Sequence, residues 1–284
     1  MRAIPAPGML RGMRRLAFAL FVIVQLAAAQ DVRFLAVGDT GTGTADQAAV
    51  GQAMARYCAA QRCDFVLLLG DNFYAAGVSS TKDPQWHSKF EVPYALLDLR
   101  FFASLGNHDY GGNVAAQIDY TQVSRKWRMP ARYYYLRRGP AEILAIDTNR
   151  FDATQTDWLT ERLERSDARW KFVFGHHPVY SYGAHGDTPG LKRSLLPVLK
   201  GRAQFYLCGH DHDRQVLQTE AGVAYWISGA GSMTRPVKKG PRTLFAKSAL
   251  GFAHFTVTDD AVTARMVTRE GTVDFEKTYS LPAP

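Results

Sequence analysis

The chain has 284 residues, of which 46% are hydrophobic, 12% aromatic and 21% charged, an ordinary composition for a globular protein. A chain of this length can bury a large core without disulfides or structural metals, so any bound metal is expected to serve chemistry. The formal net charge of +8 includes only one tight basic cluster, Lys238, Lys239 and Arg242, which is too small for a nucleic-acid-binding surface.

The beginning of the chain has the pattern of an export signal. Arginines precede an apolar run that small residues follow: Arg11, Arg14, Arg15, Leu16–Leu26 and Ala27–Ala29. The apolar run is shorter than the roughly 20 residues of a membrane span, and an uncleaved N-terminal anchor is the alternative. We predict a signal peptide over residues 1–29 and an exported domain, periplasmic or secreted, over residues 30–284. After cleavage we expect no stable membrane insertion.

The chain has three cysteines, and two of them lie close together. In an exported protein a local disulfide between Cys58 and Cys63 is plausible, and two free buried thiols are the alternative. Cys208 follows the apolar residues Phe205–Leu207 and is expected to be a buried strand residue.

Short apolar runs alternate with helix-like stretches in the first two thirds of the chain, and strands predominate afterwards. The predicted strands are Arg33–Val37, Phe65–Leu69, Phe101–Leu105, Tyr133–Leu136, Ile143–Ile146, Trp170–Phe174, Phe205–Cys208, Gln215–Thr219, Val223–Ile227, Ala253–Val257, Val262–Val267 and Val273–Tyr279. The predicted helices are Asp46–Ala60, Thr154–Arg165 and Leu191–Leu199. No linker or repeat interrupts the pattern. We therefore predict a single α/β domain, with two packed mixed β-sheets flanked by helices.

Polar motifs follow five of these strands. They are Gly38-Asp39, Gly70-Asp71-Asn72-Phe73-Tyr74, Gly106-Asn107-His108-Asp109, Gly175-His176-His177-Pro178 and Gly209-His210-Asp211-His212. Open α/β sheets build their sites beyond the carboxyl ends of strands, and glycine permits a sharp turn there. Each motif alone is a weak signal, because an aspartate after a strand is usually a turn or helix cap. Five together indicate one site.

The side chains in these motifs are oxygen and nitrogen donors without a thiolate. This chemistry excludes an iron–sulfur cluster and a cysteine-bound structural zinc. Seven candidate ligands suit two ions that share one bridging carboxylate. We expect such ligands to converge in one pocket as a dinuclear centre.

As an ordered set, the five motifs resemble those of the purple acid phosphatases, specifically the small tartrate-resistant type within the calcineurin-like metallophosphoesterase superfamily. The similarity runs from about Phe34 to at least Gln218 and includes Ala184-His185-Gly186. The resemblance implies a metallophosphoesterase-like β-sandwich. It also implies an acid phosphatase that hydrolyses phosphate monoesters by attack of a metal-bound hydroxide. The substrate would be a phosphorylated small molecule or a phosphoprotein, and we expect the enzyme to be a monomer.

The resemblance also distributes the ligands over two metals. Asp39, Asp71, Tyr74 and His212 would hold the first, and Asp71, Asn107, His176 and His210 would hold the second. The wider superfamily usually has a histidine where this chain has Gly41, and Tyr74 would replace that donor. Phenolate is a hard anionic ligand that favours Fe(III), whereas the second site suits Fe(II), Zn(II) or Mn(II). His177 is the competitor of His176, and the resemblance favours His176.

The same resemblance makes His108 and His185 the candidates for phosphate contact and general acid catalysis. For His185, an exposed loop histidine is the alternative. Asp109 is expected to orient His108.

The chain also departs from the mammalian-like pattern in three places. Thr40 stands where tryptophan is common, the segment Asp147–Asp157 is short enough to leave the site open, and Gly190 stands near an expected cysteine.

Two other functions fit the same sequence. A phosphodiesterase or nucleotidase could use the same metal scaffold, because bound metals do not fix the leaving group. A non-catalytic exported protein that binds phosphate or metal is the second alternative. The complete ligand set together with His108 argues against it.

Overall fold

In the computed structural model the described residues are 31–218 and 221–281, and the signal peptide predicted for residues 1–29 lies outside them. Over these residues the strands are β1 (Val32–Val37), β2 (Phe65–Leu68), β3 (Arg100–Ala103), β4 (Trp127–Arg128), β5 (Tyr134–Arg138), β6 (Ala141–Ala145), β7 (Trp170–Phe174), β8 (Phe205–Cys208), β9 (Arg214–Leu217), β10 (Ala224–Ser228), β11 (Thr243–Lys247), β12 (Gly251–Val257), β13 (Ala261–Thr268) and β14 (Val273–Ser280).

These strands form two mixed seven-stranded sheets. The first has the order β14-β13-β12-β1-β2-β3-β4 and the second the order β11-β9-β10-β8-β7-β6-β5. Within the first, β1, β2 and β3 are parallel neighbours. Within the second, β6, β7, β8 and β10 are parallel neighbours. The carboxyl ends of both parallel blocks meet at one edge, where the amide of Gly38 donates to the carbonyl of Ser228 at 2.8 Å.

The core between the sheets consists largely of interlocking aromatic rings. Phe34 on β1 stacks on Phe255 with the ring centroids 4.9 Å apart, and it meets Phe172 of the second sheet edge-on at 5.3 Å. Phe172 in turn stacks on Phe205 at 4.5 Å. Burial of each such ring contributes about 1.5–3 kcal/mol. This packing fixes the two sheets against each other and therefore fixes the edge at which their motifs meet.

Helices cover the outer faces of the sheets. They are α1 (Ala45–Gln61), α2 (Val114–Asp119), α3 (Ala153–Arg165), α4 (Pro189–Ser194) and α5 (Leu196–Leu199). Helix α1 buries Val50 and Met54, and α3 buries Leu159 and Leu163 in a second apolar cluster that lies against the second sheet. The predicted fold class, two packed mixed sheets flanked by helices, is confirmed.

The sequence prediction and the structure differ at three elements. The single helix predicted over Leu191–Leu199 is two helices, because Pro197 lacks the N–H that a continuous helix would need there. Strand β4 was not predicted because it has only two residues. Strand β11 was missed because its partly exposed sequence lacks a clear apolar alternation.

Cys58 and Cys63 form a disulfide at the end of α1, and Cys208 is a buried free cysteine. Among residues 31–218 and 221–281, no helix is both long and apolar enough to cross a membrane.

Candidate dinuclear metal centre

Three of the predicted ligands lie in turns with unusual backbone geometry. Asp39, Asp71 and His210 have positive φ angles of 58°, 52° and 70°, a conformation that costs a non-glycine residue free energy. Hydrogen bonds from backbone amides of neighbouring turns to the two aspartates stabilise these turns. The amide of His210 donates to Asp39 Oδ2 at 2.8 Å, and the amide of His108 donates to Asp71 Oδ1 at 2.9 Å. The aspartates are thus oriented by backbone donors, with their other oxygens directed into the site.

Two glycines make these turns possible. A Cβ at Gly106 would lie 2.1 Å from Asp71 Oδ1, so no larger residue fits without moving that carboxylate. A Cβ at Gly41 would lie 2.0 Å from the carbonyl oxygen of Asn72. No histidine can therefore stand at position 41 in this backbone.

The first group of side chains surrounds the phenol oxygen of Tyr74. This oxygen lies 2.9 Å from Asp39 Oδ1, 2.9 Å from Asp71 Oδ2 and 3.2 Å from His212 Nε2. A phenol has one proton, so it can donate to only one of these atoms. Without a bound metal ion, burial and the charges of Asp39 and Asp71 raise the pKa of Tyr74 far above its ordinary value. A cation among these atoms would reverse the effect of the two carboxylates and favour the phenolate.

The second group surrounds Nε2 of His176, which is fully buried. This nitrogen lies 3.1 Å from Asn107 Oδ1, 3.1 Å from His210 Nδ1 and 3.4 Å from Asp71 Oδ2. The other ring nitrogen, Nδ1, lies 3.0 Å from the carbonyl of Leu69 and donates to it, which directs Nε2 into the site. Burial alone would lower the pKa of His176, but the carboxylates of Asp71 and Asp39 raise it to about 9.

The structure brings all seven predicted ligands together, and Asp71 joins the two groups. Its Oδ2 lies 2.9 Å from the phenol oxygen of Tyr74 and 3.4 Å from His176 Nε2. Potential ligand atoms of Asp39, Asp71 and His176 lie within 4.8 Å of one another. The carboxylate, phenol, amide and imidazole groups that converge here have more acceptor atoms than protons to donate, so they cannot all hydrogen-bond to one another. This set of ligand atoms fits two hard or borderline cations.

His177 lies beside this set. Its Nδ1 is 2.8 Å from the hydroxyl of Thr148, and its ring centroid is 4.5 Å from that of His210. Burial and the neighbouring His176 lower the pKa of His177 to about 3. A potential ligand atom of His177 also lies within 4.8 Å of those of His176 and His210. The preference for His176 as the ligand therefore stays a prediction, which the approach of its Nε2 to Asp71 supports.

His108 lies at the same site, but the expectation that Asp109 orients it was wrong. His108 Nδ1 donates to the carbonyl of Ala75 at 2.7 Å, and Nε2 lies 3.9 Å from Asp71 Oδ2. The carboxylate of Asp109 is buried and accepts instead from the amide of Gly106 at 2.8 Å and from the side chains of Asn72 and Gln117. Asp109 therefore supports the turns beneath the site.

His185 lies at the rim of the site, next to His210. Their ring centroids are 4.3 Å apart, and the amide of His185 donates to Asp211 Oδ1 at 2.7 Å. His185 Nε2 lies 2.5 Å from the guanidinium of Arg235. The sequence did not single out Arg235, because it stands in the irregular segment after β10 and belongs to none of the five motifs.

Comparisons with known proteins give a consistent result. The calcineurin-like phosphoesterase family profile matches residues 32–214. Human tartrate-resistant acid phosphatase type 5 is 36% identical over 247 residues, which cover 74% of this chain and 76% of the human protein. Purple acid phosphatase 17 of Arabidopsis thaliana is 33% identical over 80% of this chain and 79% of the plant protein.

A solved structure gives the same fold. GAP50, the anchor in the inner membrane complex of Plasmodium, aligns with a TM-score of 0.81 and 25% identity, over 89% of this chain and 90% of GAP50.

Proposed function

The chain belongs to the calcineurin-like phosphoesterases and, among them, to the purple acid phosphatases, and on this premise we propose that it is an exported enzyme with an iron-containing centre. Its relatives are named acid phosphatases, so the chain is a phosphoric monoester hydrolase with a dinuclear metal centre. The same relatives give no support to the phosphodiesterase alternative. The disulfide between Cys58 and Cys63 supports export, because such bonds persist in oxidising compartments.

The observation that carries the proposal is the position of Asp71 between the two groups of side chains. One carboxylate oxygen lies within 3.4 Å of both the phenol of Tyr74 and the imidazole of His176. We assign Asp39, Tyr74 and His212 to an Fe(III) on one side of Asp71. Asn107, His176 and His210 would hold a second ion, Fe(II), Zn(II) or Mn(II).

Two bound cations supply a water of lowered pKa and offset the negative charge that develops on the phosphate. The residues of the chain supply the proton and the orientation. His108 donates from Nδ1 to a fixed carbonyl, so its Nε2 is left to carry a proton to the leaving oxygen as the P–O ester bond breaks. His185 Nε2 accepts from Arg235, and we therefore place His185 in phosphate contact and assign the general acid role to His108.

A comparison of two substrates tests this function. We expect the purified protein to hydrolyse p-nitrophenyl phosphate at acidic pH with a kcat/KM at least tenfold above that for bis-p-nitrophenyl phosphate. Removal of metal with a chelator should abolish the activity, and addition of iron with zinc or manganese should restore it. A higher kcat/KM for the diester would favour a phosphodiesterase. Absence of turnover on both substrates in the metal-loaded protein would contradict the enzyme assignment.

A further inference from the structure

The segment after β10 brings an arginine to the rim of the metal centre. The amide of Arg235 donates to the carbonyl of His212 at 2.8 Å, and the hydroxyl of Ser232 donates to the carbonyl of Asp39 at 2.6 Å. Both carbonyls belong to residues that we assign as metal ligands. The backbone of this segment is therefore fastened directly to the turns that form the site, and the position of Arg235 relative to the site is fixed.

The guanidinium of Arg235 reaches the site through His185. Its Nη1 lies 2.5 Å from His185 Nε2, and because a guanidinium has only donors, Nη1 donates and the imidazole accepts. The ring of His185 lies against that of His210, and the amide of His185 is held by Asp211. A single imidazole thus separates the arginine from a proposed metal ligand.

The charge of Arg235 has no protein counter-ion among residues 31–218 and 221–281. Two other arginines illustrate the contrast. Arg132 forms a salt bridge with Asp147 at 2.7 Å, and Arg214 forms a bidentate salt bridge with Asp274 at 2.9 Å. The nearby carboxylate of Asp211 already accepts from the Ser181 hydroxyl and the His185 amide. A guanidinium has five N–H donors in a planar fork, and most of those on Arg235 remain for an anion.

The segment that carries Arg235 continues as a loop beside the segment that carries His185. Lys238 and Lys239 are exposed beyond Arg235, and the amide of Lys238 donates to the carbonyl of Tyr182 at 3.0 Å. The loop therefore runs beside the segment that carries His185, and this contact fixes the course of the chain beyond Arg235.

We propose that Arg235 binds a second anionic group of the substrate, next to the phosphate that is hydrolysed. This proposal rests on the phosphatase function proposed above. Ions held by the assigned ligands would face the scissile phosphate, whereas Arg235 lies one imidazole farther out, where the leaving group would lie. Its planar fork matches a carboxylate or a second phosphate. The preferred substrates are phosphate monoesters that carry such a group close to the ester oxygen.

Two substrates of nearly equal size test this role. 3-Phosphoglycerate carries a carboxylate where glycerol 3-phosphate carries a hydroxymethyl group. We expect Arg235→Gln to lower kcat/KM for 3-phosphoglycerate by about ten- to hundredfold, mainly through KM, because a charge-assisted hydrogen-bond pair is lost. For glycerol 3-phosphate the change should stay below about threefold. Arg235→Lys keeps the positive charge but lacks the planar guanidinium, so it should retain only part of the preference for 3-phosphoglycerate over glycerol 3-phosphate.

Lys238→Gln is the matched control, since it removes one charge from the same loop and should leave the substrate ratio unchanged. An equal loss on both substrates after Arg235→Gln would place the arginine on the scissile phosphate or behind His185, and would overturn the proposal. Unchanged kcat/KM values for both substrates would overturn it as well. If Arg235→Gln fails to fold, the ratio measured with Arg235→Lys decides. A wild-type protein that hydrolyses p-nitrophenyl phosphate but neither of these substrates would overturn the role of Arg235 and leave the phosphatase function standing. Turnover of none of the three esters would refute the phosphatase function itself.

Discussion

The phenol oxygen of Tyr74 lies within 3.2 Å of two carboxylates and one imidazole, an arrangement that a bound cation would stabilise. Tyr74→Phe removes this oxygen and leaves the ring, whose centroid lies 4.5 Å from that of His108. If Tyr74 donates phenolate to Fe(III), the wild type absorbs broadly in the visible and the variant does not. Activity should persist in part, because Asp39, Asp71 and His212 can still hold an ion.

The visible spectrum and iron content of both proteins check this prediction. A wild-type protein that contains iron but has no visible band, or a variant that retains the band, would show that Tyr74 is not the ligand.

His254 on β12 gives a prediction for stability, away from the metal centre. The side chain is 1% exposed, and neither ring nitrogen has a hydrogen-bond partner among the described residues. Burial, with the charges of Arg265 and Arg33, lowers its pKa to about 3. An unfolded chain binds a proton at this histidine near pH 6.5, whereas the folded chain does not. Stability is therefore lost as the pH falls from about 6.5 to 3, by up to about 1.4 kcal/mol per pH unit.

His254→Leu removes the group that binds this proton in the unfolded chain and places an apolar side chain in the core. Between pH 7 and pH 4.5 the variant should lose about 2 kcal/mol less free energy of unfolding than the wild type. Urea unfolding of the metal-free proteins at both pH values measures the difference. Equal losses of the free energy of unfolding in the two proteins would show that the pKa of His254 is not lowered in the folded chain.

At the scale of elements, the turns that follow the parallel strands decide the chemistry. Gly106→Ala puts a methyl group 2.1 Å from Asp71 Oδ1, so the proposed bridging carboxylate must move. We expect at least a tenfold loss of activity, reduced metal content and about 1–3 kcal/mol lower stability. Gly190→Ala is the control, because a Cβ there meets nothing within 4 Å. Assay, metal analysis and thermal unfolding of both variants test this, and a Gly106→Ala enzyme with full metal content and activity would contradict the assigned turn geometry.

The sequence predicted with the most accurate bounds the strands that are buried along nearly their whole length. Phe205–Cys208 is a continuous apolar run, Trp170–Phe174 is interrupted only by Lys171, and both strands have the predicted bounds. Strand β11 was missed because its residues are half-buried or exposed and lack that signal. Helix α2 was missed because it has only six residues and too short an apolar period to detect.

At the scale of the whole molecule, the site exists only where the two sheets meet. Asp39, Asp71 and Asn107 follow strands of the first sheet, whereas His176 and His210 follow strands of the second. The sequence could predict this convergence because every motif stands at the end of a parallel strand. It could not predict Arg235 beside His185 or Asp109 beneath the turns, since those contacts depend on how irregular segments pack across the fold.

The metal content of the purified protein tests the dinuclear centre most directly. Measured by mass spectrometry of the elements alongside activity, it should show two ions per active chain, at least one of them iron. Extraction of the metal should remove activity in proportion and lower the melting temperature, because ions that bind only the folded chain stabilise it. A fully active protein that holds a single ion per chain would contradict the shared role of Asp71. One that holds no iron would contradict the assignment of Fe(III) to Tyr74.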